Sequence, residues 1–240
     1  MFIPRIYYPH PLKTGELITL DEATSHYLQH VLRLKNEESV ILFNGDQGEY
    51  TAKFFMEKKK VIVNILSYQE VTRSSPLHIH LGQGLARGDR MDFVMQKSTE
   101  LGVDSITPLF TKHCAVKLDE QRSSKRLQHW QNIAISAAEQ SGRTNIPAIS
   151  TPQTLTEWAS LSFAGTSLIF DPQSTTRLKD LVPNTHIRIA VGPESGWDEH
   201  EVAFMEKQGF VICSLGPRIL RTETAGITAI SILQGLFGDL

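Results

Sequence analysis

Three loops in the C-terminal two thirds of the chain carry residues that could do chemistry. They are LGQGLARGDR (81–90), VGPESGWDEHE (191–201) and SLGPRILRTETA (214–225), and each follows a predicted β-strand. In an open parallel sheet, ligands gather beyond the carboxyl ends of the strands. These loops are therefore the candidate ligand-binding segments.

The first loop combines glycines with arginines. Gly82 and Gly84 lie between a strand and a helix, as in a dinucleotide-binding turn. The third glycine, Gly88, comes one residue too late for that motif, so a plain turn is the better interpretation. Arg87 and Arg90 make the loop electropositive, which suits phosphate contact as well as surface solubility.

The second and third loops add carboxylates and further arginines. The small residues of GPESG (192–196) would let a ligand approach the backbone, although a simple strand-to-helix turn capped by Asp198 has the same pattern. In the third loop, helix capping accounts for the threonines and for Glu223. Capping does not account for Arg221, which could hold an anionic or electron-rich substrate.

Composition and charge exclude several classes of protein. With 40% hydrophobic and 21% charged residues, the 240-residue chain is typical of a soluble globular protein and unlike a disordered, collagen-like or coiled-coil one. Cys114 and Cys213 lie far apart with no Cys/His cluster, which excludes a disulfide framework and the usual structural zinc site. A net charge of −2 excludes a simple basic protein that coats nucleic acid. No signal peptide or membrane-spanning run is found, so we expect a cytoplasmic protein with no membrane partner.

The elements that position the loops fall into two predicted domains. Residues 1–72 are β-rich and predict a small β-barrel that carries one helix over 21–33. Strands are predicted at 39–43, 48–55 and 61–66, and the first two form a predicted hairpin over 39–55. The polar segment TRSSP (72–76) is the predicted linker.

Residues 73–240 alternate strands with helices, which predicts an α/β domain with a mostly parallel sheet covered on both faces. Strands are predicted at 77–83, 105–110, 166–170, 186–191 and 210–215. Helices are predicted at 91–102, 125–142, 176–182, 198–209 and 222–237.

Six motifs occur in order along nearly the whole chain: RIYY (5–8), HYLQHVLR (26–33), ELGV (100–103), QSGR (140–143), GPESGWDEHE (192–201) and LGPRILRTETA (215–225). Together they resemble the RsmE-type methyltransferases of the SPOUT superfamily, and the last motif is highly specific. Ser195 departs from the pattern, because the family usually has glycine there. The added hydroxyl could shift the affinity for the cofactor.

The resemblance implies an enzyme that methylates N3 of one uridine in 16S ribosomal RNA, using S-adenosylmethionine and no metal. The near-neutral charge favours a structured target such as the small ribosomal subunit, but the sequence leaves naked RNA open as the substrate. The same resemblance implies a SPOUT-type α/β domain with a trefoil knot, formed by the segments around 191–196 and 214–221, preceded by a PUA-like β-barrel that binds RNA. It also implies a homodimer. The apolar helix over 222–237 suits a dimer face, although a core helix is the simpler interpretation.

The resemblance also implies which residues would hold the cofactor: Phe170, Gly192, Pro193, Glu194, Ser195, Gly196, Leu215, Gly216, Ile219 and Leu220. Methyl transfer also needs catalytic side chains, because N3 of uridine attacks a methyl group only after losing its proton. We expect Arg221 to stabilise the negative charge that develops on the uracil oxygens and Glu223 to accept the proton. Arg143 is expected to grip RNA phosphate or the base, and Glu194 could instead orient its loop.

Four residues are predicted to contact RNA: Arg5, His30, Arg33 and Arg87. Basic clusters at 112–126 and 58–60 would add to the footprint, although such runs are more often solvated faces. His78 and His80 share one strand face, but no third metal ligand is apparent.

Two rival functions remain open on the sequence. A nicotinamide-dependent oxidoreductase would use Gly82 and Gly84, and would bind a dinucleotide but not S-adenosylmethionine. A non-catalytic RNA-binding factor would bind RNA without the cofactor. Only Ser195 hints at this second rival, while intact Arg221 and Glu223 argue against it.

Overall fold

The computed structural model describes residues 3–46, 48–57, 60–114 and 120–240. The chain divides into two compact units. Unit 1 comprises Met1–Ser74 and Ala138–Asn145, and unit 2 comprises Ser75–Ala137 and Ile146–Leu240. Within the described residues, none of the helices has the length and apolar character needed to cross a membrane.

Unit 1 is built on a five-stranded sheet with the order β1-β3-β4-β5-β2. The pair β1 and β3 is parallel and the other pairs are antiparallel. The predicted hairpin is confirmed, since β3 and β4 pair on either side of the Asn44–Gly45 turn. The strands are β1 (Arg5–Tyr7), β2 (Leu17–Thr19), β3 (Ser39–Phe43), β4 (Glu49–Glu57) and β5 (Lys60–Gln69).

The helix predicted over 21–33 is confirmed over 22–31, but its second half is not a regular α-helix. Helix α1 spans Glu22–His26 and is followed by a π-helical turn, Tyr27–Val31. Asp21 caps α1 by accepting the Thr24 N–H at 2.9 Å. The widened turn ends where the Leu32 N–H bonds to the Tyr27 carbonyl, five residues back. π-helical turns are rare and are often found at functional sites.

Unit 2 contains a sheet of seven strands in which every pairing is parallel, as the alternation of strands and helices predicted. The strand order is β12-β10-β11-β6-β7-β8, and β9 also pairs with β7. The strands are β6 (His78–Gly84), β7 (Ser105–Phe110), β8 (Ala148–Ile149), β9 (Gln153–Thr154), β10 (Thr166–Phe170), β11 (His186–Val191) and β12 (Val211–Cys213).

Five helices accompany this sheet: α2 (Arg90–Glu100), α3 (Glu120–Ser141), α4 (Leu155–Ser160), α5 (Glu199–Lys207) and α6 (Thr222–Phe237). The last four residues of α3 belong to unit 1. The helix predicted over 176–182 is wrong, because only Leu178–Asp180 forms a single 3₁₀ turn. The backbone there bonds elsewhere: the Leu178 N–H donates to the Ser214 carbonyl at 3.1 Å.

The sheet of unit 2 is covered on both faces, as predicted. Along β11, Ile189 and Val191 point into one apolar cluster and Ala190 into another. The first cluster includes residues of α2 and α6, and the second includes residues of α4 and α5. Ile230 and Leu233 of α6 are fully buried there, so the apolar stripe of that helix serves at least partly as core.

Candidate functional site

A cleft of about 780 Å³ opens at the carboxyl ends of β10 and β11 and beyond β12. Segments 170–173, 191–197 and 215–223 form most of its walls, and Arg90 at the start of α2 adds a charged side chain. This size is within the range of small-molecule sites, and the position is where open parallel sheets bind ligands. The second and third candidate loops therefore meet in one site.

The residues predicted to hold the cofactor all line this cleft. They are Phe170, Gly192, Pro193, Glu194, Ser195, Gly196, Leu215, Gly216, Ile219 and Leu220. Arg221 and Glu223, predicted for catalysis, line it as well. Gly196 and Gly216 have φ angles of 75° and 130°, in the region that favours glycine, so the two loops turn where a side chain would be strained.

Gly84 allows the 192–197 loop to lie directly on strand β6. A Cβ atom at Gly84 would be 2.6 Å from the Pro193 nitrogen and 2.9 Å from the Gly192 carbonyl carbon. At Gly82, a Cβ atom would lie 2.6 Å from the Trp158 ring. Both glycines are thus explained by close packing, which supports the plain-turn interpretation of the first loop over a dinucleotide motif.

Two consecutive hydrogen bonds join three elements at the cleft. The Gln83 amide donates to the Thr222 hydroxyl at 2.8 Å, and that hydroxyl donates to the Gly192 carbonyl. Gln83 is completely buried and Thr222 is 5% exposed. The end of β6, the start of α6 and the 192–197 loop are therefore held in one arrangement.

Trp197 forms part of the cleft wall, a role that the sequence left open. Its indole N–H donates to the Phe170 carbonyl at 3.1 Å. Its ring also lies against Gly192, where an added Cβ atom would be 3.2 Å away. The tryptophan thus connects the loop after β11 to the end of β10.

The 192–197 loop is also anchored at its far end. Asp198 caps α5, as predicted, and pairs with Lys112 at 2.8 Å. The hydrogen bond from Lys112 lowers the pKa of Asp198. The Ser195 hydroxyl donates to the His113 carbonyl at 3.0 Å. The serine that departs from the family pattern therefore makes an additional anchor.

Three arginines and four carboxylates line the cleft: Arg90, Arg218, Arg221, Asp171, Glu194, Glu199 and Glu223. Glu194 accepts the Arg87 N–H at 2.8 Å and pairs with the Arg90 guanidinium. Partial burial alone would raise the pKa of Glu194, but the hydrogen bonds from Arg87, its own N–H and Arg90 together lower it. Glu223 has a buried oxygen, Oε2, that makes no hydrogen bond.

Two of the predicted residues lie in unit 1, where Arg143 is buried and Arg5 is half-buried. The Arg5 side chain is only 10% exposed, pairs with Glu49 and donates to the Arg143 carbonyl at 2.8 Å. Arg73 pairs with Glu49 and donates to the Gly142 carbonyl at 2.7 Å. Arg143 itself is 5% exposed and is not part of the cleft wall. These contacts fix the turn that carries the QSGR motif.

The other predicted RNA contacts are exposed. His30 lies on the π-helical turn, and Arg33 follows it with a φ of 55°. Such a φ is uncommon for a residue other than glycine. Arg87 is exposed on the first loop of unit 2.

Some predicted charges have other partners or cannot be placed. Of the basic clusters, Lys117, Lys58 and Lys59 lie outside the described residues. The His78 ring stacks on His186 at 4.6 Å, and His80 bonds to Ser105 at 2.7 Å. In the part of the chain that the structure describes, His, Cys, Asp and Glu form no group of three that could hold a metal ion.

Several cleft residues were not singled out from the sequence. Residues 171–173 follow the predicted strand 166–170 directly, so the rule that ligands lie beyond strand ends could have found them. Gln83 gave no signal, because its hydrogen-bond partner Thr222 is 139 residues away.

Comparisons with known proteins bear on the whole chain. The family model described as an RNA methyltransferase domain matches residues 73–234, and the one described as an RNA methyltransferase PUA domain matches residues 20–66. Ribosomal RNA small subunit methyltransferase E of Buchnera aphidicola (subspecies Acyrthosiphon pisum) is 39% identical over 241 residues, which cover 99% of this chain and 95% of the relative.

Two solved structures are similar over the full length of both chains. A methyltransferase of Legionella pneumophila, in complex with its bound cofactor S-adenosylmethionine, has a TM-score of 0.96 and 42% identity. Ribosomal RNA small subunit methyltransferase E of Neisseria gonorrhoeae, bound to S-adenosylmethionine, has a TM-score of 0.93 and 38% identity. The chain therefore belongs to the ribosomal RNA small subunit methyltransferase E family, with a PUA domain before a mostly parallel α/β methyltransferase domain.

Proposed function

We propose that this protein transfers a methyl group from S-adenosylmethionine to N3 of one uridine in 16S ribosomal RNA. One observation carries the proposal: every residue that the family motifs assign to the cofactor lines a single cleft beyond the strand ends. The full-length likeness to two methyltransferases solved with S-adenosylmethionine supports it.

The residues of the cleft fit this cofactor. S-adenosylmethionine, when bound, supplies a methyl group on a positively charged sulfur, and this methyl–sulfur bond breaks as the bond to N3 forms. Carboxylates outnumber arginines in the cleft wall, which suits a cationic group. The backbone of 192–196 and 215–220 would hold the cofactor, with Phe170 and Trp197 as apolar walls.

Two side chains are suited to the proton and to the developing charge. Glu223 is a partly buried carboxylate, and its oxygen Oε2 has no hydrogen-bond partner, so it can accept the N3 proton. Arg221 is exposed at the N-cap of α6, at the edge of the same cleft. From there its guanidinium would stabilise the negative charge on the uracil oxygens.

RNA binding would rest on exposed basic residues and on a structured target. His30, Arg33 and Arg87 are exposed and would contact the RNA. Arg143 is only 5% exposed, so it would support the turn that carries the QSGR motif more than contact RNA itself, with Arg5 holding the backbone of that turn. Because N3 lies on the pairing edge of uracil, the target base must be unpaired when it is bound. A net charge of −2 favours an assembled small ribosomal subunit over naked RNA as substrate.

The remaining family properties are part of the same proposal. Residues 1–72 would form the RNA-binding domain and 73–240 the methyltransferase domain. The segments around 191–196 and 214–221, which share the cleft and are joined through Thr222, would form the trefoil knot. The protein would act as a homodimer, without metal, in the cytoplasm where ribosomes are modified.

Calorimetry and methyl transfer test this proposal. The protein should bind S-adenosylmethionine and not NAD(H), and should transfer a labelled methyl group to unmethylated small ribosomal subunits. Arg221→Ala should bind the cofactor as the wild type does but lose about 100-fold in kcat. Binding of NAD(H) alone, or cofactor binding with no transfer to subunits or to naked 16S RNA, would contradict the proposal.

A further inference from the structure

Arg90 is a charged residue of the cleft to which the proposed chemistry gives no role. It is the first residue of α2, and its guanidinium lies between carboxylates from two different segments. One nitrogen, Nη1, pairs with Glu194 of the 192–197 loop, while Nε lies 3.7 Å from Oε2 of Glu223. A single side chain therefore links the loop to the start of α6.

The contact with Glu194 is the stronger of the two and serves as the anchor. The same oxygen of Glu194 also accepts the Arg87 N–H at 2.8 Å. Two donors on one carboxylate oxygen favour its ionised form. Arg90 is therefore held in place by an anionic partner on the 192–197 loop.

The contact with Glu223 is different in kind. At 3.7 Å it is an ion pair but too long for a hydrogen bond. Oε2 of Glu223 therefore accepts no hydrogen bond, although the Arg90 guanidinium lies beside it. The Glu223 side chain is only 15% exposed. This arrangement suits a carboxylate that has to be anionic and unoccupied before it accepts a proton.

We propose that Arg90 is a positioning residue for methyl transfer, anchored on Glu194 and holding Glu223 in the cleft wall as an anionic proton acceptor. The inference rests on the proposed function. The role requires a planar guanidinium, because its separate nitrogens can contact two carboxylates at once. A lysine ammonium acts as a single point charge.

Three variants test the proposal through the dependence of kcat on pH at saturating cofactor and RNA. Arg90→Gln should lower kcat at pH 7 by about 10- to 100-fold and move the acid limb of the profile to higher pH, because Glu223 loses its neighbouring cation. Arg90→Lys should recover part of the shift but not the full kcat. Glu194→Gln should move the acid limb to lower pH, because it removes a neighbouring anion and frees Arg90 for Glu223.

A merely structural role would not produce shifts of opposite sign. Each variant changes only one of the charged groups that line the cleft with Glu223, so the others are the same as in the wild type. These groups are Arg90, Arg218, Arg221, Asp171, Glu194 and Glu199. The matched control is Arg177→Gln, which removes an exposed arginine of unit 2 that does not line the cleft. Its kcat and pH profile should match those of the wild type.

Binding provides a readout that is independent of turnover. Arg90→Gln should still bind S-adenosylhomocysteine, measured by calorimetry, with a Kd that changes by less than the loss of about 10- to 100-fold in kcat. A wild-type kcat and pH profile in Arg90→Gln, or shifts of the same sign in Arg90→Gln and Glu194→Gln, would overturn the role of Arg90. Failure of the wild type itself to methylate RNA would instead overturn the proposed function.

Discussion

The close approach of the 192–197 loop to strand β6 predicts a selective effect of one methyl group at Gly84. In Gly84→Ala the new Cβ atom would lie 2.6 Å from the Pro193 nitrogen, so the loop has to move by about 0.8 Å to reach an ordinary contact of 3.4 Å. The atoms it meets are mainly backbone, which cannot rotate away. Overpacking of this kind costs about 1–3 kcal/mol.

If this cost falls on the cofactor-binding conformation of the loop, the Kd for S-adenosylmethionine should rise about 5- to 150-fold. Gly82→Ala is the matched control, because its Cβ atom would meet the Trp158 ring at 2.6 Å and Leu109 at 2.9 Å instead of the loop. Both variants should have a lower Tm, but Gly82→Ala should keep its Kd within about twofold. Equal cofactor affinity in the two variants, by calorimetry, would refute the reasoning.

Three further predictions follow from other contacts of unit 2. Thr222→Val removes the hydroxyl that bonds the Gly192 carbonyl, so it should weaken cofactor binding and lower the free energy of unfolding by about 1–3 kcal/mol in denaturant titrations. Glu194→Gln should be less stable than the wild type at pH 7. Because the folded-state pKa of Glu194 is lowered, this difference should shrink as the pH falls below 4.5, and a difference that persists in acid would contradict the ion pair. Burial raises the pKa of the Cys213 thiol to about 12, so a Cys114→Ser variant should show no thiol reactive with Ellman's reagent at pH 8 until it is unfolded.

The long elements of the fold could be predicted because their signals are local. The apolar runs 105–110, 166–170 and 186–191 became strands with those bounds, and 222–237 became helix α6. Strand β2 (Leu17–Thr19) was missed, since its three residues are stabilised by pairing with β5 and not by their own pattern.

Two further features that the sequence-based analysis missed had different physical causes. Helix α4 (Leu155–Ser160) was missed although Thr154 and Glu157 form a capping box, a motif that can be read from the sequence. The π-helical turn at 27–31 has nearly the same apolar spacing as an α-helix, so periodicity alone could not distinguish the two.

The candidate site was predictable to the extent that its residues occur in motifs. The motifs around 192–201 and 215–225 identified the residues of both main walls, whereas composition and spacing alone gave only three glycine-bearing loops. The position of Arg90 between Glu194 and Glu223 depends on contacts across more than 100 residues of sequence, which no local pattern contains.

The central claim is tested most directly by identifying the methylated nucleoside. Small ribosomal subunits that lack the modification would be incubated with the protein and S-adenosylmethionine, and their 16S RNA would be digested and analysed by mass spectrometry. We predict 3-methyluridine at one position, formed by the wild type and reduced about 100-fold with Arg221→Ala. Methylation at carbon 5 or at a ribose hydroxyl, or no methylated uridine at all, would contradict the account.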